Sequence, residues 1–403
     1  MCFVTVPHPL GMISKEEVNA KVDAAFDDIV KAATAWTPSK EKQDAQVKPY
    51  PAKRFKFSGT YADVNDMFQK RKWSLSLPIV PPTVDKVAAM LKGTKRNPAE
   101  VLWVVPPRQG MLTVELVAAL GVMAGAKPEH MPLLIATVEA MADPVAAWRG
   151  PTTTTAATVP VFFISGPIID KQKLNPGTGT AGGENPVTNA LGYFVNLVGD
   201  VVGGSVPPNF DKSTHGSSAD LVAMVFTENA KENPWKTTYA EEAGFKPSDS
   251  IVTHFSAYLG NANIDHDSKT GQRLLTTLST GLLGSASGLA SCLADYDATY
   301  AINNKVSFAF IVLCPEHAAT IAKDFPDQRA ARDFMRETAA MPYKFYSQET
   351  CVPGKDFGPY DENTFIPRFK KTESIKFFVS GGPGKQSQFW VPFPQVLKPV
   401  SAK

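Results

Sequence analysis

Apolar and polar positions follow two rhythms along this chain. Short, continuously apolar runs occur at "EVLWVVP" (100–106), "VPVFFISGP" (159–167), "KVSFAFIVL" (305–313) and "SIKFFV" (374–379). Such runs suit strands covered on both faces. Further strands are expected at "ADLVAMVF" (219–226) and "SIVTHFSAYL" (250–259). Between them, apolar residues recur at helical spacing in "VDKVAAMLKG", "VELVAALGVMAG", "PEHMPLLIATVEAMA", "TGQRLLTTLSTGLLGSASG", "PEHAATIAKDF" and "DQRAARDFMRETAAM". Thr83 is placed to cap the first of these helices, and a Pro at the first helical position suits several others. Strands alternating with helices predict an α/β fold of two lobes, with largely parallel or mixed sheets. The first lobe is expected over 73–205 and the second over 206–403.

Residues 1–72 have a different rhythm. A helix is expected from Ser14 to Ala33, capped by Ser14, with Glu16 and Glu17 in its first turn. "TPSKEKQDAQVKPYPAKRFKFSG" is charged and proline-bearing and reads as an arm or linker. A second helix is expected from Tyr61 to Arg71. Such a helical arm suits wrapping around a neighbouring subunit, so a homo-oligomer is expected.

Composition changes this picture little. The chain has 403 residues and net charge +2, which gives no reason to expect a nucleic-acid partner. Its 33 prolines fix many loops. Four scattered cysteines form no C-x-x-C pair and fit a reducing compartment. The N-terminal stretch lacks the signature of a secretory signal, and the apolar stretches are too short to span a bilayer. A cytoplasmic protein without membrane contact is the expectation.

Candidate chemistry sits mostly in loops. "SGGPGKQS" follows the last apolar run, but Walker A spacing puts Val379 where Gly is needed and Gln386 where Ser or Thr is needed. What remains is a tight turn, or an anion-binding concavity from the amides of Gly381, Gly382 and Gly384 with Lys385 beside it. Gly177, Gly179 and Gly182 have G-x-G-x-x-G spacing, but the strand ends near Ile168 and the helix opens later, with Asn185 as cap and Pro186 first. That disfavours a dinucleotide site and leaves a mobile surface loop or a substrate-anion site at a helix N-terminus.

"FTENAKENPW" leaves a strand end, where open α/β sheets place ligand-facing groups. Glu228 and Glu232 are a candidate acid–base pair, Asn229 a polar contact and Trp235 a pocket wall. Asp265 beside His266 suggests a histidine oriented for proton transfer, or only an acidic loop capping the next helix. His254 and His266 with nearby carboxylates give the alternative of a divalent-metal site. Arg108, at a strand end, is a candidate clamp for a substrate carboxylate. Cys314 stands at a helix N-terminus, where a thiolate is stabilised, or is simply a small buried residue. "AKPEHMPLLIATVEAM" and "LCPEHAATIAKDF" both place Pro-Glu-His at a helix start, too short a match to establish a repeat. No G-x-S-x-G elbow is present.

Taken together, "LPIVPPTVDKVAAML", "VVPPRQGMLTVELVAALGVMAGAKPEHMPLLIATVEAM", "TENAKENPW", "LCPEHAATIA" and "VSGGPGKQS" resemble a large, mostly bacterial, functionally unassigned family. That family is often labelled by association with UGSC-motif (seleno)proteins. The resemblance covers about residues 73–390 and implies that the loops at 177–183, 228–235 and 380–387 belong to one architecture. The U/C-G-S-C tetrapeptide itself is absent; Leu289-Ala290 precede Ser291-Cys292.

These residues predict an enzyme acting on a small polar or anionic substrate in a cleft between the lobes. Glu228 and His266 would move protons, with Asp265 orienting the histidine. Arg108, Gly177, Gly179, Asn229, Trp235, Gly381, Gly382 and Lys385 would bind substrate. The chemistry would be that of a lyase, hydratase or hydrolase without a cofactor. The alternatives are the metal-dependent enzyme and a non-catalytic small-molecule binding protein.

Overall fold

The computed structural model describes residues 4, 6–7, 13–35, 50–183, 185–217, 220–258, 260–284, 309–345, 361–369, 371–390 and 395–401. Residues 1–48 and 49–403 form two separate units. The first is built on helix α1 (Lys15–Thr34). Ser14 Oγ accepts from the Glu17 amide while Glu17 accepts from the Ser14 amide, a reciprocal cap. Val22, Phe26, Ile29 and Val30 stay exposed on this helix.

The second unit opens with α2 (Tyr61–Lys70), capped by Thr60, and α3 (Val84–Leu91). Thr83 precedes α3 but forms no side-chain cap. Phe68 of α2 lies in the main core and Asn65 Oδ1 accepts from the Ile79 amide at 2.7 Å, so α2 belongs to the body. Next come β1 (Val101–Val105), β2 (Gly110–Thr113), α4 (Val114–Met123) and α5 (Met131–Ala142). β1 is not the doubly covered strand that its apolar run predicts. Among the described residues it pairs only with β2, and Val101 and Val104 are exposed.

The remaining elements build two four-stranded mixed sheets and one small two-stranded sheet. They are β3 (Thr158–Ser165), α6 (Ile168–Lys171), α7 (Pro186–Asn196), β4 (Met224–Thr227), α8 (Tyr239–Glu242), β5 (Ile251–Tyr258), β6 (Asn261–Ile264) and α9 (Gly271–Gly284). Then follow β7 (Ala309–Leu313), α10 (Pro315–Asp324), α11 (Gln328–Thr338), β8 (Ala340–Pro342), β9 (Phe365–Pro367), β10 (Ile375–Val379), β11 (Gln386–Trp390) and β12 (Val396–Pro399). The sheet orders are β4-β3-β5-β12 and β10-β7-β11-β6. Each starts with a parallel pair and continues through two antiparallel pairs.

The two sheets thus share one plan, with their last strands exchanged. β6 leaves β5 to pair with β11 of the other sheet; β12 leaves β11 to pair with β5. Register makes the residues equivalent. The Glu228 amide donates to Ile164 O (2.9 Å), and the Ser380 amide donates to Leu313 O (3.0 Å). Ser165 therefore corresponds to Cys314, and Glu228 to Ser380. The Pro-Glu-His stretches are not related by this plan: His130 lies before α5, which precedes β3, whereas His317 lies in α10, which follows β7. The expected boundary at 205/206 falls between β3 and β4, partners in one sheet.

Side-chain alternation explains the layering. Phe162, Ile164, Val225, Val252 and Val396 pack beneath α3, α4, α5 and α7. Ile311, Leu313, Phe377, Val379 and Phe389 pack against α9, α10 and α11. The opposite faces meet each other through Phe163, Phe226, Phe255, Phe310, Phe378 and Trp390. The result is helices, sheet, sheet, helices, held at the centre by aromatic rings.

Candidate active site at the strand ends

The C-terminal ends of the parallel pair β3/β4 and of the pair β7/β10 meet. Glu228, just past β4, forms an antiparallel bridge with Ser380, just past β10. The Asn229 amide donates to Val379 O at 2.8 Å, and Ser380 Oγ donates to Thr227 O at 2.7 Å. Strand ends of this kind are where α/β sheets expose ligand-facing groups.

Three predicted loops converge here. The Gly381 amide donates to Pro176 O (2.8 Å), and Asn229 Nδ2 donates to Gly381 O (3.1 Å). The hydroxyls of Thr180 and Thr227 are 2.9 Å apart, and Thr227 Oγ1 also donates to Asn175 O. The approach is close enough that a Cβ on Gly382 would sit 2.0 Å from Thr178 Oγ1 and 2.9 Å from its amide. Gly382→Ala is therefore expected to destabilise the fold by about 1–3 kcal/mol through overpacking, read as a lower urea midpoint. A midpoint equal to wild type would show that the loops are free to separate.

Glu228 is the chemically exceptional group. It is 2% exposed. Its Oε1 accepts from the Tyr239 amide at 2.6 Å, at the start of α8. Its Oε2 has no hydrogen-bond partner among the described residues, and neither does the hydroxyl of Ser165, which is fully buried. Burial pushes the Glu228 carboxyl up to about 7; the Tyr239 amide and nearby Ser165 pull it down, and Glu241 and Glu242 push it further up. Ser165 is close enough to favour the ionised form yet outside good hydrogen-bond geometry. Ser165 and Ser380 escape a reading based on motifs, although Ser165 ends β3 and Ser380 directly follows β10, the strand-end signal that also marks Glu228.

The other expected residues are placed differently. In the loop after β10, the amides of Gly384 and Lys385 both donate to Glu316 Oε2, at 2.6 and 2.9 Å. The concavity at Gly381, Gly382 and Gly384 thus turns out to serve the chain itself: one amide holds Pro176 O and another the Glu316 carboxylate. Lys385 Nζ donates to His266 O at 2.9 Å, tying the 265–268 turn to the same loop. Gly177 and Gly179 close turns within their own segment, accepting from the amides of Thr180 and Gly182.

Asp265 does not orient His266. Its carboxylate accepts from the amides of Asp267 and Ser268 and from the Ser268 hydroxyl. Burial works against the charge, but these bonds and Thr277 outweigh it and hold the carboxyl at about 2. His266 is exposed, and His317 takes the place beside Asp265. Its Nε2 faces Asp265 O at 3.0 Å, so it donates, which leaves Nδ1 to accept from Ser387 Oγ at 2.8 Å.

Arg108 sits in the β1–β2 turn. Its amide donates to Gly203 O, and its guanidinium stacks on Phe210 at 5.3 Å, away from the Glu228 loops. Trp235 is an anchor: Nε1 donates to Phe325 O at 3.0 Å and its ring packs against Phe377. Asn229 bonds wholly within the loops. Glu232 is exposed and forms no buried pair with Glu228. His254 is a core residue. It stacks on Phe162 at 4.4 Å, Nδ1 donates to Val161 O, and burial pushes its pKa down to about 4. It faces the helices from β5, whereas His266 follows β6 at the edge of the other sheet. Cys314 is buried, and burial pushes its thiol up, against the pull of the His317, Gln386 and Glu316 amides. Among the described residues no group of three or more His, Cys, Asp or Glu is arranged to hold a metal, and no helix is long and apolar enough to cross a membrane.

No family model, curated protein or solved structure matches the chain. The functional reading therefore rests on the geometry of the strand ends.

Proposed function

We propose that the protein is an enzyme that moves protons on a small polar molecule, with Glu228 as general acid and base. One observation carries this: a buried carboxyl whose Oε2 is left without a partner among the described residues, beside a hydroxyl equally unpartnered there, at the meeting point of two parallel strand pairs. An unmade buried hydrogen bond costs about 1–3 kcal/mol. A fold optimised for stability alone has no use for two of them side by side. With a pKa of about 7, both forms of Glu228 are populated near neutral pH, the condition for efficient proton transfer.

The roles follow from the contacts. The Tyr239 amide fixes Oε1, so the proton is exchanged at Oε2. Ser165 offers a hydroxyl to hold a substrate oxygen beside it. Adding or removing a proton there suits hydration, elimination or hydrolysis of a small polar substrate. The test is incubation with a panel of small hydroxy, keto and amide compounds in D2O, followed by proton NMR. Wild-type protein is expected to exchange or convert at least one class, and Glu228→Gln to lose this by at least about 100-fold, the typical worth of a general acid–base group. Equal turnover in both removes Glu228 from the chemistry. Binding without exchange, equal in both, would support the non-catalytic binding protein instead.

A further inference from the structure

A second site lies on the helix-facing side of the β3–β5 sheet. There the chain lines a partly open cavity of about 100 Å³. Its floor is Thr158 and Pro160 of β3 and Ser256 of β5, and Trp148 forms one side. One wall is the turn that continues α7 as a π-helix over Leu197–Val202 and carries Asp200. Single π-turns of this kind are frequent at functional sites. The opposite wall brings Asp211 and Asp220.

Among the described residues the three carboxylates meet no cation. None of them forms an ion pair among the described residues, and Asp200 makes no side-chain hydrogen bond there either. Among the described residues Asp211 and Asp220 accept only the amides of Ser213 and Ser217. Burial, with Asp211 and Asp220 adding to it, pushes the Asp200 carboxyl up to about 8, so the three are close enough to repel one another.

Ser256 supplies an independent observation. It is 2% exposed and lines the cavity. It is in phase with Val252, which packs against the helices, so strand alternation turns its hydroxyl to that side. The hydroxyl has no partner among the described residues. Trp148, also buried and lining the cavity, has an indole N–H without a partner among the described residues. The cavity thus combines three carboxylates, an unpartnered hydroxyl, an unpartnered N–H and an aromatic wall. The carboxylates are not arranged for a metal ion. An organic cation meets the same charge with longer reach and gains from the aromatic face.

We propose that this cavity binds a small organic ammonium ion that also carries a hydrogen-bonding oxygen. The ammonium sits among Asp200, Asp211 and Asp220, and the oxygen accepts from the Trp148 indole. The site is separate from Glu228, which lies at the strand ends.

The probe is ethanolammonium, with ethylene glycol as the neutral analogue of nearly equal size and Mg2+ as the inorganic alternative. The readout is the Trp148 indole N–H resonance of the full chain, assigned by its loss in Trp148→Phe. Ethanolammonium is expected to shift this resonance saturably, and ethylene glycol to leave it in place. Asp200→Asn is expected to weaken binding at least tenfold, and Asp220→Asn serves as the second variant should the first not fold. Equal binding by wild type and the folded Asn variant would overturn the proposal. So would a matching response to ethylene glycol, a response to Mg2+ alone, or no response to ethanolammonium.

Discussion

Phe163→Ala lowers the stability of the body by about 3–5 kcal/mol, the range for emptying a well-packed aromatic position. Phe163 is fully buried on β3. Its ring stacks on Phe226 at 5.0 Å within its own sheet and meets Phe310 at 4.3 Å and Phe378 at 4.8 Å across the interface. With Phe255 of β5 at 5.4 Å as well, the alanine variant removes contacts to four strands at once. Its neighbours come from two sheets held by exchanged strands, so collapse around the void is restricted. Urea denaturation of the two proteins measures the loss. A cost below about 1.5 kcal/mol, the range of tolerated core swaps, would mean that the sheets are not packed on each other as described. Phe162 is the internal control: it is one residue away but faces the helices and stacks on His254.

The second large effect is a pH dependence. Burial raises the Glu228 carboxyl from 4.5 to about 7, so the folded state holds this proton more tightly than the unfolded chain. Between those values the folded state binds more protons, and stability falls as pH rises. Each pH unit costs about 1.4 kcal/mol, which sums to about 3 kcal/mol once pH exceeds 7. Glu228→Gln keeps the shape without ionising. Relative to wild type, the variant is expected to gain about 3 kcal/mol between pH 4.5 and pH 8, because it escapes the cost of the buried charge. Paired denaturation curves across that range measure it. A constant difference would show that Glu228 ionises in the fold as easily as in water. Together with the expected loss of proton exchange, this variant would be more stable and inactive, the pattern of a group kept for chemistry.

Local rhythm accounts for what the sequence revealed. β3, β5, β7 and β10 show up because long apolar runs need cover on both faces, and α4, α9, α10 and α11 because their apolar residues recur at helical spacing. β1 misleads for the same reason. "VLWVV" is as apolar as β3, but a run does not say whether its faces will be covered, and here Val101 and Val104 are exposed and only Val105 is buried. The exchange of β6 and β12 is invisible because pairing partners far apart in the chain leave no local pattern.

The site divides along the same line. Glu228 was legible from the strand-end rule. Ser165 obeys that rule equally and becomes visible only once β3 and β4 are known to be parallel neighbours. The loop after β10 reads as an anion site, whereas its Gly384 and Lys385 amides hold the Glu316 carboxylate, a side chain of α10. Asp265 and His266 are adjacent in sequence, but adjacency is not orientation. Asp265 turns back to hold its own loop, and His317 approaches from another helix.

The central claim is that Glu228 carries an exchangeable proton near neutral pH. The direct test is the carboxyl carbon of Glu228, followed by NMR through a pH titration of glutamate-labelled protein and assigned by its absence in Glu228→Gln. A midpoint near 7 is predicted. A midpoint near 4.5 would contradict the account, because a carboxyl with ordinary acidity is neither starved of partners by burial nor poised to give and take a proton at the strand ends.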